Sequence, residues 1–159
     1  MTEMITFAIV TCSDTRSLDE DTAGQALEEL IANAGWECLD RALVKDERAD
    51  ISAAIVRACD ELDADIVLTC GGSGLSLRDV TPEATQDVCD RNVPGIAEGM
   101  RAYSMAITPY AMLSRALCMQ RGRHIVINLP GSEKAARENW QGIEPVLAHA
   151  KKMMAGAGH

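Results

Sequence analysis

Residues 71–74 read Gly-Gly-Ser-Gly, a concentration of backbone freedom found nowhere else in this 159-residue chain. Without Cβ atoms, Gly71, Gly72 and Gly74 let successive backbone N–H groups turn toward one anion, and Ser73 adds a hydroxyl. A phosphate is the natural guest, and the helix start that follows adds positive dipole. The same residues equally suit a tight strand-to-helix turn with no ligand. Two nucleotide signatures fail here. No lysine follows the glycines as a GxxxxGK[ST] loop requires, and a GxGxxG count from Gly72 puts Leu77 where a glycine belongs.

Asp79 sits between this loop and the next helix. A carboxylate beside a phosphate cradle repels the ligand unless a cation lies between them. Mg²⁺, held by one or two carboxylates and by substrate phosphates, meets that need. Asp46, just after the second expected strand, offers a second carboxylate, although an acid in such a turn more often simply faces water. The three histidines (His124, His149 and His159) all lie outside the polar loops, which argues against a histidine relay to a nucleophile. The set suits a nucleophile that is already ionised, such as a phosphate monoester attacking another phosphate. That chemistry depends on positioning and charge neutralisation more than on proton removal.

These residues need strands and helices to aim them. The apolar run at 5–12 reads as a buried strand, followed by a helix over 21–35 with Ala26, Leu27, Leu30, Ile31 and Ala34 at helical spacing. Residues 36–44 read as a less apolar strand nearer an edge. A helix over 49–64 presents Ile51, Ala54, Ile55, Ala58 and Leu62 on one face. Residues 65–70 form a short buried strand leading into the glycine loop. Thr81 reads as an N-cap, Pro82 as the first helical residue and Glu83 as a first-turn acid, with the helix running to about Arg91. Helices are expected again from Gly95 and from Pro109. A strand at 124–129 ends in Pro130-Gly131, and Ser132 caps a final helix that Pro145 should kink or divide.

The alternation of strand and helix predicts a three-layer α/β/α sandwich in one domain, residues 1–154, with a mostly parallel sheet and a frayed tail at 155–159. Ligands of such sheets sit beyond the carboxyl ends of the strands. Three loops qualify: 12–22, 71–79 and 130–134. Composition fits this picture. Hydrophobic residues are 47% and aromatic residues 3%, so aliphatic side chains must form the core. A net charge of -9 argues against nucleic acid and anionic membrane as partners. The six cysteines show no CxxC or zinc spacing, and no signal peptide or spanning segment is visible, so a cytoplasmic protein with reduced, packed thiols is expected.

Taken together, LTCGGSGLSLRDVTPEAT, VPGIAEGMR, TPYAMLSR and NLPGSEKAARE resemble the MogA/MoaB family of molybdenum-cofactor biosynthesis proteins, which includes the G domains of plant Cnx and animal gephyrin. The resemblance runs over nearly the whole chain. It implies adenylyl transfer, in which the terminal phosphate of molybdopterin attacks the α-phosphorus of Mg-ATP and pyrophosphate leaves. By the same resemblance, Asp46 and Asp79 are the catalytic and metal-binding acids, and Gly71, Gly72, Ser73 and Gly74 cradle nucleotide phosphates with help from Pro130 and Gly131. Ser13, Asp14, Ser104 and Ser114 are implied as molybdopterin contacts. Homotrimers or homohexamers and a molybdenum insertase partner are implied as well. The alternative is a non-catalytic molybdopterin carrier of the MoaB branch. It is suggested by the first loop, SDTRSLDEDTAG, which resembles the MoaB branch, and by Ala23, which replaces a hydroxyl-bearing residue of the family pattern.

Overall fold

The computed structural model describes residues 3–156. The last three residues of the expected tail lie outside that range. Six strands form one sheet in the order β2-β1-β3-β6-β5-β4, where β1 is Thr6–Cys12, β2 Glu37–Val44, β3 Ile66–Cys70, β4 Arg91–Asn92, β5 Cys118–Arg121 and β6 His124–Leu129. The first four in that order are parallel, and β5 and β4 are antiparallel to their neighbours. The expected mostly parallel sheet is therefore present, with β2 at one edge.

Helices cover both faces. Alternate residues of the inner strands explain why. Phe7, Ile9, Ile66, Leu68, Ile125, Ile127 and Leu129 pack with Leu27 and Ile31 of α1 (Thr22–Asn33), Met100 of α4 (Pro94–Met105) and Trp140, Ile143 and Leu147 of α5 (Glu133–Met154). The intervening Ala8, Val10, Val67 and Val126 pack on the other face with Ile51 and Ile55 of α2 (Arg48–Val56) and Ala84 of α3 (Thr81–Val88). Strands buried on both faces read as unbroken apolar runs, as β1, β3 and β6 do. Three of the few aromatics, Phe7, Trp36 and Trp140, meet in one cluster with ring centroids 5.7–6.1 Å apart.

Several local expectations need correction. Thr81 is not the N-cap of α3. Val80 holds that place, and the Thr81 hydroxyl donates to the Gly71 carbonyl at 2.9 Å instead. Helix α3 ends at Val88 rather than near Arg91, because Arg91–Asn92 pair with β5. Helix α2 ends at Val56 and gives way to a wider π turn over Arg57–Glu61. Helix α5 runs continuously through Pro145, since its buried face, Ala136, Trp140, Ile143 and Leu147, holds it against the sheet on both sides of the proline.

The two antiparallel strands were not expected. They are short and their sequences, CMQR and RN, lack a clear apolar alternation. One signal was available: β5 and β6 are joined by the two-residue turn Gly122-Arg123, with Gly122 at φ +57°.

Candidate active site

Register places the polar loops together. Thr11 pairs with Cys70 and Cys70 with Leu129, so β1, β3 and β6 end side by side. Cys12 also pairs with Val44, which brings the turn after β2 to the same end. The chain leaves β1 for β2 on one side and returns to β3 on the other, and the crevice at such a switch point is where α/β sheets bind ligands.

The glycine loop is held in a conformation its composition requires. Gly71 and Gly72 have φ of +98° and +71°. A Cβ on Gly71 would lie 2.5 Å from the Cys12 carbonyl oxygen, and one on Gly72 3.3 Å from Asp46 Oδ1. Only glycine fits both the dihedrals and the approach of neighbouring backbone and carboxylate. Arg115 fastens the loop from below. Its backbone N–H donates to Ser73 O at 2.8 Å, and its guanidinium donates to the carbonyls of Gly74 and Asp79, each at 2.8 Å. Glu83 holds that guanidinium in turn, at 2.6 and 3.2 Å, and its carboxyl is pulled below the usual range by the same bond. Arg16 secures the third loop by donating to Gly131 O at 2.8 Å.

On one flank of the loop lie the acids. Asp14 and Asp46 bond reciprocally: the Asp14 N–H donates to Asp46 Oδ2 at 3.1 Å, and the Asp46 N–H donates to Asp14 Oδ1 at 3.0 Å. Arg78 clasps both oxygens of Asp14 at 3.0 Å and reaches Glu47 as well, which holds the Asp14 carboxyl below its ordinary value. Asp46 has no direct ion pair among the described residues, and Arg78 acts on it only from a distance. Burial pushes its pKa up, and the Asp14 and Asp79 charges add to that. Its Oδ1 is buried with no hydrogen-bond donor among the described residues. Asp79 accepts from the Gly74 N–H at 3.1 Å, so the loop's own acid occupies one donor of the anion nest.

On the other flank is a cavity of about 440 Å³, floored by residues 71–74 and walled by Asp79, α4, the turn at 109–114, and residues 130–132 with the first turns of α5. Ser104 and Ser114 both line it, as do Pro130 and Gly131. Ser13 and Asp14, also expected as pterin contacts, fall outside that lining. The Ser13 hydroxyl accepts from the N–H groups of Thr15 and Arg16 at 3.3 and 3.1 Å, and Asp14 is committed to Asp46 and Arg78. Ala23 is fully buried in the core, so the hydroxyl missing there removes nothing from the cavity. Cys70 is fully buried with its thiol pushed up to about 12, an inert packed residue.

The donor set fits a Mg²⁺ ion. An unpaired buried carboxylate oxygen at Asp46, with Asp79 near enough to perturb it, is what a hard cation replaces a proton donor for. Among the described residues no cluster of three or more His, Cys, Asp or Glu could hold a metal alone. The remaining ligands would therefore be substrate phosphates and water, as is usual for Mg²⁺.

The chain as a whole is similar to known proteins. The family described as "Probable molybdopterin binding domain" matches residues 8–149, from β1 through most of α5. The chain belongs to that molybdopterin-binding family. A family relative, the molybdopterin adenylyltransferase of Helicobacter pylori, is 35% identical over 158 residues, covering 97% of this chain and 90% of the relative. Molybdenum cofactor biosynthesis protein B of Bacillus cereus is 41% identical over 131 residues, covering 81% of this chain and 78% of that protein. A crystal structure of a family member, also a molybdenum cofactor biosynthesis protein B, superposes with a TM-score of 0.93 at 36% identity, over 99% of both chains.

What the sequence missed in this candidate site are its positioning cations and the helix α5 wall. Arg16, Arg78, Arg101 and Arg115 lie in four separate stretches, and nothing in their neighbours announces a shared role. Asn139 and Glu138, which line the cavity from α5, read in sequence as ordinary exposed helix positions.

Proposed function

We propose that this chain catalyses adenylyl transfer from ATP to the terminal phosphate of molybdopterin, with release of pyrophosphate, in molybdenum-cofactor biosynthesis. The observation that carries the reading is the shared floor: one glycine loop borders both the Asp46–Asp79 acids and a cavity large enough for a bicyclic ligand. Relatives named molybdopterin adenylyltransferase, similar over nearly the full chain, support it.

In this reading the N–H groups of Gly72 and Ser73 bind nucleotide phosphates, those of Gly71 and Gly74 being held by Leu129 O and Asp79 Oδ2, with Pro130-Gly131 closing the cradle. Asp46 and Asp79 would hold Mg²⁺, which when bound neutralises phosphate charge and assists departure of pyrophosphate. Ser104 and Ser114 bind the pterin substrate from the cavity side, and Arg101 is the cation among the described residues of that lining. Asp14 and Ser13 act as positioning groups, because Asp14 fixes the Asp46 backbone and carboxylate from both ends. No group need remove a proton, since the attacking phosphate is already ionised.

An oligomer, an insertase partner and a cytoplasmic location belong to the same proposal. Tyr110 of the cavity lining and Leu75, Leu77 and Met112 of the loops that contribute to it are exposed by 64–98% and suit a protein contact. No helix among the described residues is long and apolar enough to cross a membrane. The carrier alternative drew on the MoaB-like first loop and on Ala23, and the burial of Ala23 in the core takes away the second of these motives. Incubation of the purified protein with molybdopterin, ATP and Mg²⁺ should release pyrophosphate and yield the adenylylated pterin. No product, under conditions where the Helicobacter pylori relative forms it, overturns the proposal.

A further inference from the structure

Hydrogen-bonding capacity around the cavity is unevenly used. Most acids near the site have a partner. Asp14 has Arg78, Asp79 has the Gly74 N–H, Glu83 has Arg115, and Glu133 has Arg137. Glu138, half-buried in the cavity wall on α5, has no hydrogen bond or ion pair among the described residues.

Its neighbours are equally informative. The Asn139 amide donates to Ala135 O at 2.9 Å and to Ser104 Oγ at 3.1 Å. The Ala135 carbonyl can only accept, so it fixes the amide nitrogen on that side and leaves Asn139 Oδ1 as an unused acceptor. Ser104 Oγ accepts from Asn139 and retains its own proton, with no acceptor among the described residues. The wall therefore offers three open acceptors, two on Glu138 and one on Asn139, and one open hydroxyl donor on Ser104.

That pattern discriminates between heterocycles. A 2-amino-4-oxo-pyrimidine edge presents two adjacent N–H donors, at N3 and at the 2-amino group, and a carboxylate accepts both at once. The adenine edge presents an acceptor, N1, beside its amino group, and would set a lone pair against the carboxylate. A 2,4-dioxo edge sets a carbonyl oxygen against it instead.

We propose that Glu138 is a specificity-determining residue: it reads the N3–H and 2-amino groups of the pterin ring, and so assigns the α5-side cavity to the pterin and not to adenine. This rests on the molybdopterin reading above, yet it can be tested without turnover. The probes are 6-hydroxymethylpterin monophosphate and its lumazine counterpart, in which a 2-oxo group replaces the amino group, with binding measured by calorimetry. The intact protein should bind the pterin about tenfold or more tighter than the lumazine, the discrimination expected for a charged acceptor matched or left unmatched.

Glu138→Gln presents one acceptor and one donor, the complement of the lumazine edge. Its preference should fall to parity or reverse, with its melting temperature unchanged because Glu138 bonds to no described residue. In the adenylyl-transfer assay the same variant should raise KM for molybdopterin and leave KM for ATP unchanged. A wild-type protein that binds both probes equally, or a variant that keeps the wild-type preference, overturns the assignment. A wild-type protein that discriminates the probes but never releases pyrophosphate overturns the proposed activity and leaves the assignment standing.

Discussion

The two flanks of the glycine loop are built on opposite plans. On the acid flank, Asp14 is engaged by Asp46 and Arg78, and Asp79 by Gly74, so the charges are oriented before any ligand arrives. On the cavity flank, Ser104, Asn139 and Glu138 keep bonding capacity in reserve. A flank that must hold charge at a fixed place gains from pre-organisation. A flank that must choose among ligands gains from groups that are satisfied only by the right one. The one exception on the acid flank is Asp46 Oδ1, buried and without a hydrogen-bond partner among the described residues, and it is where the proposed function puts a cation.

The largest test of that contrast is chemical. Asp46→Asn and Asp79→Asn keep shape and hydrogen bonds but remove the charge, so each should lower turnover by about 10²–10³-fold, the range for losing one preorganised electrostatic contact. Pyrophosphate release under saturating substrates measures it. Binding of the pterin phosphate probe should change far less than turnover. If both variants retain wild-type rates, the acid flank does not carry the metal.

Gly71→Ala tests the floor both flanks share. The new Cβ meets the Cys12 backbone carbonyl at 2.5 Å, and the φ of +98° is strained for any L side chain. The nearest atoms all belong to the Cys12 backbone, which leaves nothing flexible to yield, so a cost of about 3 kcal/mol is expected from strain and overpacking together. Urea unfolding reads the value, and the loss should be accompanied by weaker binding on both flanks.

The floor itself and the acid beside it, Asp79, were legible in the sequence, whereas Asp46 drew its weight only from the family resemblance. Glycines after an apolar strand and an acid before a helix start are local patterns that imply a backbone nest and a cation. The sheet and most helices followed from periodicity, because β1, β3 and β6 are buried on both faces and the helices are amphipathic. What could not be read were pairings across long separations. Arg78 meets Asp14 across 64 positions and Arg115 meets Gly74 across 41. An arginine carries no mark of its distant acceptor. Thr81 was misread for a related reason: its hydroxyl satisfies Gly71 O in the loop before the helix, a tertiary bond that displaced the local capping role.

Arg115 links the flanks, so its removal should blur the difference between them. It follows Ser114 of the cavity wall, yet its guanidinium fixes the carbonyls of Gly74 and Asp79. Arg115→Met keeps the aliphatic stem and leaves those carbonyls and Glu83 without their donor. A loss of about 2 kcal/mol is expected, at the level of charged hydrogen bonds in a partly exposed setting. Turnover should fall along with stability, because Asp79 loses its anchor. Activity that falls with no change in the unfolding midpoint would instead place Arg115 in contact with substrate.

The smallest effect is the most specific to the unpaired oxygen. Burial raises the Asp46 pKa above its ordinary 3.8, so the folded state disfavours the ionised form. For a carboxyl raised on folding, the native state keeps its proton over a pH range where the unfolded chain has lost it. Stability therefore falls as pH rises from 3.8 through the folded value, and the penalty is complete above it. Without Mg²⁺, Asp46→Asn should then melt slightly above the wild type at neutral pH, and the gap should close as pH drops toward 3.8. Added Mg²⁺ with ATP should reverse the order, since a ligand that needs the carboxylate stabilises only the wild type. Melting curves at several pH values, with and without Mg-ATP, measure both signs. An asparagine variant that melts lower than the wild type at neutral pH without Mg²⁺ would mean that Oδ1 already has a partner, and the acid flank would then hold no open valence at all.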